Sequence, residues 1–181
     1  MRKVLVIGVG GIGSFLVQYL DKVNLYNIDI ADPDRVEKKN IPYQNFSGDI
    51  GELKVISMIK RFKSIKTAHQ FPVLTEFQIQ GYDLVVCCVD NLDARRLLYR
   101  SKVPWLDLRA QGRNCVLISY EMENHEEVLQ GEEGSFSCQG DWDGSNSGIH
   151  WMQVVAAGMG AQWIQRWFND EDVCKFKVVN I

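Results

Sequence analysis

The chain has 181 residues and a formal net charge of −3, with 46% hydrophobic and 24% charged residues. That length fits one domain with a buried core, and the composition is that of an ordinary soluble globular protein. The short basic runs are typical of solvated faces, so the charge pattern argues against nucleic acid as a partner.

No apolar stretch is long enough to span a membrane, and the first apolar run stops at a glycine loop instead of a signal-peptide cleavage site. We therefore expect a cytoplasmic protein with no membrane partner. The five cysteines include no CxxC pair and no paired Cys/His spacing, which argues against structural zinc and for reduced thiols.

Near its start the chain has a short, mostly aliphatic run, residues 3–7, that leads directly into a glycine-rich turn. The run predicts a buried parallel strand, and the turn predicts the start of a helix whose backbone amides can face a phosphate. The glycines of the turn are Gly8, Gly10, Gly11 and Gly13. A second strand, 25–31, ends at Asp32, whose carboxylate can take both hydroxyls of a ribose. The alternative is a loop that is glycine-rich only for packing.

The segment after the second strand is irregular from 33 to 51, and such a long loop is uncommon in a compact domain unless it binds something. Apolar spacing then predicts a helix over 52–62, with Lys54 at its start. A short strand is predicted over 69–74, where Pro72 favours a sheet edge.

The apolar run 83–89 predicts another fully buried strand, which ends at Asp90 and Asn91. The carboxyl ends of parallel strands are where α/β sheets bind their ligands. The remaining predicted elements are a helix over 94–102, strands beginning at 103 and spanning 114–120, a helix over 149–168 and an edge strand over 174–181. Residues 121–147 are acidic and then rich in Gly, Ser and Asn, which predicts a long flexible loop.

Together these elements predict one α/β domain over residues 1–181. We expect a Rossmann-like, mostly parallel sheet with helices on both faces and later strands that are partly antiparallel. The tryptophan-rich last helix favours core packing or an oligomer interface.

Five motifs, in this order, resemble those of the ThiF/MoeB/HesA adenylating enzymes, the bacterial relatives of ubiquitin-activating enzymes. The motifs are Gly8-Val9-Gly10-Gly11-Ile12-Gly13, Asp32-Pro33-Asp34, Asn40-Ile41-Pro42-Tyr43-Gln44, Gly51-Glu52-Leu53-Lys54 and Asp90-Asn91. The resemblance implies ATP and Mg²⁺ as cofactors and a homodimer. It also implies adenylation of the C-terminal carboxylate of a ubiquitin-like or sulfur-carrier protein.

The resemblance further assigns roles to the residues of these motifs. Asp32 would hold the ribose, and the loop amides and Lys54 would face the phosphates. Asp90 would place Mg²⁺ against those phosphates. The full set that would bind nucleotide is Gly8, Gly10, Gly11, Gly13, Asp32, Asp34, Asn40, Gln44, Lys54, Asp90 and Asn91. The set that would act in catalysis is Lys54, Asp90, Gln44, Asn40 and Cys138.

The chain departs from the family pattern at Tyr43, and the role of Cys138 is open. The family has an arginine where this chain has Tyr43, which removes a fixed positive charge from the phosphates. Arg109 and Arg113 follow a predicted strand and are candidates to replace it, with a solvated loop as the alternative. Cys138 lies in the predicted loop, where some members carry a cysteine that joins the carrier protein, and an incidental thiol is the alternative.

Two other functions remain open at this stage. The loss of the family arginine favours a nucleotide-binding partner subunit without catalysis. An NAD-binding domain would explain the segment from Gly8 to Asp32 equally well, but it leaves Lys54 and Asp90 unexplained.

Overall fold

The computed structural model describes residues 1–125, 129 and 148–181. Within these residues, seven strands form one sheet and four α-helices pack against it. In chain order the elements are β1 (Arg2–Ile7), α1 (Gly13–Val23), β2 (Tyr26–Ala31), α2 (Lys54–Arg61), β3 (Ile65–His69), β4 (Leu84–Cys87), α3 (Leu92–Arg100), β5 (Trp105–Gln111), β6 (Asn114–Ser119), α4 (Met152–Phe168) and β7 (Phe176–Asn180). None of the described helices is both long and apolar enough to cross a membrane.

The strand order across the sheet is β3-β2-β1-β4-β5-β6-β7. All neighbours from β3 to β5 run parallel, and the β5–β6 and β6–β7 pairs are antiparallel. The chain order reverses direction between β1 and β4, which opens a crevice beyond the carboxyl ends of these two strands. The predicted Rossmann-like sheet with late antiparallel strands is confirmed.

Helices cover both faces of the sheet, as expected. Three of them, α1, α2 and α4, bury Leu16, Met58 and Ala157 in one apolar core, and α3 buries Leu98 in a second core on the opposite face. The small residues of α4 permit close packing: a Cβ built on Gly160 would lie 2.5 Å from Leu108 Cδ1.

The prediction of a strand over 69–74 is wrong, because β3 ends at His69. This strand lies at the sheet edge beside β2, and its apolar signal is limited to one buried residue, Ile65. The larger apolar residues that suggested a later strand have other positions, since Val73 packs in the second core and Phe71 is exposed. The C-terminal strand β7 is at the opposite edge, as predicted. Most of the predicted loop 121–147, and Cys138 with it, lies outside the described residues.

Candidate active site

The glycine turn joins β1 to α1 by close packing of backbone on backbone. Gly8 has a positive φ of +84°, and a Cβ added to it would lie 2.6 Å from Val89 Cγ1. A Cβ on Gly13 would lie 1.9 Å from the Gly8 carbonyl oxygen, so Gly13 is needed for packing. Gly8, Gly10 and Gly11 line the cleft at the end of the sheet. The glycines of the turn therefore serve packing at Gly8 and Gly13 and border the cleft at Gly8, Gly10 and Gly11.

Asp32 fixes the glycine turn to the end of β2. Its buried carboxylate accepts the Val9 N–H through Oδ2 at 2.8 Å and the Asp34 N–H through Oδ1 at 2.9 Å. Burial raises the pKa of the Asp32 carboxyl, and Lys54 together with the two backbone N–H groups opposes that shift. Asp32 lines the cleft, and each of its oxygens retains a second lone pair, so the ribose contact stays a prediction.

Lys54 brings a buried cation to the cleft. It is the first residue of α2, and its Nζ lies 3.0 Å from Asp34 Oδ2. The Lys54 backbone N–H also donates to the Asp34 carbonyl at 2.9 Å, which fixes the helix start beside this acidic residue. The Lys54 side chain is 8% exposed and the Asp34 side chain is 66% exposed. The lysine is therefore buried in the domain, while its ion-pair partner faces solvent.

The segment between β2 and α2 contributes Tyr43 and Gln44 to the cleft wall. Gln44 is buried, and its Oε1 has no hydrogen-bond partner in the described part of the chain. Buried polar atoms are rarely left without partners, so this oxygen is a candidate acceptor for a ligand. Asn40 does not line the cleft. It accepts the Glu37 N–H at 2.9 Å and donates to the Tyr43 hydroxyl at 3.1 Å, which positions that ring.

Asn45, which was not a candidate from the sequence, connects the segment between β2 and α2 to the helices α1 and α2 by hydrogen bonds. Its backbone N–H donates to Ser14 Oγ at 3.0 Å, and its Nδ2 donates to Gln18 Oε1 at 3.1 Å, both on α1. Arg61 of α2 donates to the Asn45 carbonyl and to its Oδ1. The long segment is thus bound to the body of the domain close to the cleft. No spacing rule would have indicated this, because its partners lie in distant parts of the sequence.

Asp90 and Asn91, which follow β4, have different surroundings. Asp90 is exposed and lines the cleft. Asn91 is the N-cap of α3, with Oδ1 accepting the Asp93 N–H at 2.7 Å and the Ala94 N–H at 3.3 Å. An asparagine directly before a helix is a recognisable capping signal, so this role was available from the sequence.

A group of buried polar residues on α3 and β5 completes the cleft. Arg95 and Arg109 line it, and both contact the fully buried Asp107. Arg113 is exposed and does not line the cleft. Of these residues, only Arg109 was a candidate from the sequence. Arg95, Tyr99 and Asp107 were not, because residues of two separate elements give no local pattern.

The cleft therefore gathers most, but not all, of the residues expected to bind nucleotide. Those that line it are Gly8, Gly10, Gly11, Asp32, Asp34, Gln44, Lys54 and Asp90. The three that do not are Gly13, Asn40 and Asn91.

The sequence model that describes the ThiF protein family matches residues 1–161 of this chain. The chain belongs to the ThiF family.

Relatives of this ThiF-family chain have names that refer to adenylyl transfer. The protein named adenylyltransferase and sulfurtransferase uba4 from Emericella nidulans is 32% identical over 132 residues, which is 64% of this chain and 27% of that protein. Curated relatives of this kind are considerably longer, and the chain spans 31% of one from Gracilaria tenuistipitata var. liui, a probable molybdopterin-synthase adenylyltransferase.

Solved structures share the ThiF-family fold at low sequence identity. PaaA superposes on the whole chain with a TM-score of 0.74 and 14% identity, over 61% of PaaA. MccB from E. coli, crystallised with ATP, superposes on 99% of the chain with a TM-score of 0.67 and 17% identity, over 63% of MccB. At these identities the likeness shows the fold alone.

Proposed function

We propose that this chain binds ATP in the cleft and adenylates the C-terminal carboxylate of a ubiquitin-like or sulfur-carrier protein. The observation that carries the proposal is the convergence of the glycine turn, Lys54 and Asp90 on one cleft beyond β1 and β4. An NAD-binding domain would use the glycine turn and Asp32, but it has no evident use for a buried lysine and a second carboxylate in the same cleft.

The residues of the cleft suit a nucleoside triphosphate. Backbone N–H groups of Gly10 and Gly11 and the ammonium of Lys54 would bind phosphate oxygens, which are anionic acceptors. Asp32 would accept from the ribose hydroxyls. The buried Gln44 Oε1, which lacks a partner among the described residues, would accept from a ligand hydroxyl or amine.

The reaction is a displacement at the α-phosphorus of ATP. A carboxylate oxygen of the carrier C-terminus forms a new P–O bond there, the bond from that phosphorus to the bridging oxygen breaks, and pyrophosphate leaves. The attacking carboxylate is already ionised near pH 7, so no general base is required. The contribution of the protein is therefore orientation and neutralisation of charge, with Lys54 as the principal cation on the β2 side.

Magnesium is part of this proposal, with Asp90 as its protein ligand. Mg²⁺ commonly binds through one or two carboxylates together with substrate phosphates, and Asp90 is an exposed carboxylate in the cleft wall. Within the described residues, no group of three or more His, Cys, Asp or Glu side chains could hold a metal without such help. The ion would supply neutralisation of phosphate charge.

A second candidate function is a nucleotide-binding partner subunit without catalysis. Tyr43 favours it, because a phenolic side chain stands in the cleft wall where the family pattern has an arginine. The role of Cys138 in joining the carrier, the homodimer and the cytoplasmic location stay predictions.

A calorimetric titration with ATP and with NAD, each with and without Mg²⁺, tests the proposed function. We expect Mg²⁺-dependent binding of ATP that Asp90→Ala weakens at least tenfold. Asp93→Ala is the matched control, since Asp93 is also exposed near the start of α3 but lies outside the cleft and pairs with Arg96. NAD binding that is indifferent to Mg²⁺ and to Asp90 would contradict the proposal. ATP binding without ATP–pyrophosphate exchange, in the presence of candidate carrier proteins, would favour the partner subunit.

A further inference from the structure

A buried cluster of four side chains lies beside the cleft on the β5 side. We call it the arginine cluster, and its members are Arg95, Tyr99, Asp107 and Arg109. The side chains of Arg95, Asp107 and Arg109 are 1%, 0% and 7% exposed. The two arginines line the cleft, and the other two members lie behind them.

Within the arginine cluster, Arg109 is held in one orientation. Its Nε donates to Asp107 Oδ2 at 2.9 Å, and its Nη2 lies 2.8 Å from the same oxygen as an ion pair. The Nη2 group also donates to the Tyr99 hydroxyl at 2.9 Å. The Tyr99 hydroxyl in turn donates to Asp107 Oδ2 at 2.8 Å. Tyr99 is itself fixed by stacking on Trp105, with ring centroids 4.2 Å apart.

Arg95 is fixed on the other side of the same carboxylate. Its Nε lies 3.3 Å from Asp107 Oδ1, and its Nη2 donates to the Val89 carbonyl at 2.6 Å. Val89 precedes Asp90, so Arg95 links the cluster to the segment that follows β4. Both oxygens of Asp107 are thereby engaged by guanidinium groups.

The members of the cluster carry two guanidinium charges and one carboxylate charge. Burial lowers the pKa of Arg109, but Asp107 and Tyr99 together raise it above its ordinary value, so the side chain stays cationic at any working pH. Buried charges are costly unless they are compensated, and a planar guanidinium is well suited to a phosphate. A cation held in the wall of a cleft is thus prepared for an anionic ligand.

We propose that Arg109 is an anion-binding residue of the cleft and receives the polyphosphate arm of the nucleotide, with Asp107 and Tyr99 as its positioning residues. This inference rests on the proposed function and names a further phosphate ligand for it. In the strand order, β2 and β5 lie on either side of β1 and β4. Lys54, bound to Asp34 after β2, and Arg109 on β5 therefore approach the glycine turn from two sides.

Two simple probes separate the phosphate contribution from the rest of the nucleotide. Inorganic tripolyphosphate reports on the anion subsite, and adenosine reports on the nucleoside subsite. We expect Arg109→Gln to weaken tripolyphosphate binding about 10- to 100-fold in calorimetric titrations, as for loss of a charge-assisted hydrogen bond, and to leave adenosine binding within about twofold. Arg113→Gln, which changes an exposed arginine outside the cleft, should leave both affinities unchanged.

The positioning role has its own test. Tyr99→Phe keeps the charge of Arg109 and the stacked ring but removes the hydroxyl that contacts both Arg109 and Asp107. We expect tripolyphosphate binding to weaken several-fold and adenosine binding to stay the same. Equal weakening for the two probes would indicate a general loss of structure and contradict the assigned role.

If Arg109→Gln does not fold, as judged by its circular dichroism melting curve, the wild-type protein provides the answer. The Nε–H of Arg109 is bonded to a buried carboxylate, which should slow its exchange enough for observation by NMR. Its resonance should shift on addition of tripolyphosphate and not of adenosine, and an unchanged resonance would overturn the inference.

Failure of this inference can be distinguished from failure of the proposed function. If the wild-type protein binds ATP and the Arg109→Gln variant keeps full affinity for tripolyphosphate, this inference alone is overturned. A wild-type protein that does not bind ATP overturns the proposed function as well.

Discussion

A Cβ atom built on Gly13 would lie 1.9 Å from the carbonyl oxygen of Gly8. The first residue of α1 and the first residue of the glycine turn therefore touch through their backbones. A contact this short leaves no room for a methyl group, and the obstructing atom belongs to the main chain, which cannot move aside as a flexible side chain can. The position of α1 over the cleft depends on this contact.

Gly13→Ala should destabilise the protein by roughly 1–3 kcal/mol, the range for overpacked sites, as measured by urea unfolding followed by circular dichroism. Gly158→Ala is the matched control, because Gly158 is an exposed glycine in α4 with no atom within 4 Å of an added Cβ. That change should stabilise α4 by about 0.5–1 kcal/mol through lower backbone entropy in the unfolded chain. Equal stability of Gly13→Ala and wild type would contradict the packing described here.

Lys54→Gln should lower the affinity for ATP about 10- to 100-fold, because it removes a buried cation from the cleft that the glycine turn also lines. Isothermal titration calorimetry measures this directly. Lys60→Gln is the control on the same helix, since Lys60 is exposed and pairs with Glu52. If both variants bind ATP as the wild type does, Lys54 has no part in nucleotide binding.

Cys87 should be inert in the folded protein. Burial and the nearby Asp107 raise the pKa of its thiol to about 12. A higher pKa means a smaller thiolate fraction, so at pH 8 iodoacetamide should modify the exposed Cys174 and leave Cys87 unmodified. In urea the two should react alike, and peptide mapping by mass spectrometry distinguishes them. Rapid modification of Cys87 in the native protein would be inconsistent with its burial.

The same shift predicts how stability depends on alkaline pH. The unfolded thiol loses its proton near its ordinary pKa of about 8.5, whereas the folded thiol keeps its proton until about 12. The unfolded state therefore gains relative to the folded state as the pH rises through this interval. The contribution of Cys87 to the free energy of unfolding should be complete below pH 8 and decline above about pH 9 in urea titrations.

Asn45→Ala should loosen the segment between β2 and α2. The change removes side-chain hydrogen bonds to Gln18 and Arg61, and we expect a loss of stability of about 1–3 kcal/mol. Backbone amides of residues 40–48 should also exchange with solvent faster, as measured by hydrogen exchange with mass spectrometry. Ser47→Ala, in an exposed position of the same segment, is the control. Unchanged exchange in Asn45→Ala would show that other contacts anchor the segment.

Local patterns predicted the fold well where they were strong. Strands β1 and β4 are each marked by one unbroken apolar run, and the turn between β1 and α1 is marked by closely spaced glycines. Both strands and the turn are confirmed. Strand β3 was misplaced because an edge strand needs few apolar residues, and Ile65 alone marks it. Its hydrogen bonds to β2 decide its position, and these are not visible in the pattern of a single strand.

In the candidate site too, residues that belong to a local motif were predicted, and residues that come together only on folding were not. Residues within the family motifs, such as Lys54 and Asp90, were found because a resemblance in sequence identifies them, and their roles stay predictions. The arginine cluster was missed in large part because Tyr99 and Asp107 come from two elements that meet only after folding. Asn45 was missed for the same reason.

The walls of the cleft come from segments that are far apart in the chain, since Gly8 and Arg109 border the same space. A molecule bound there would connect the parallel half of the sheet to β5, where the antiparallel half begins. Opening of any one of these segments would release it, so occupancy would raise the cost of opening the segments that line the cleft, by about 2.7 kcal/mol at a ligand concentration one hundred times Kd. The lifetime of the protein against proteases would then depend on how often its cleft is filled.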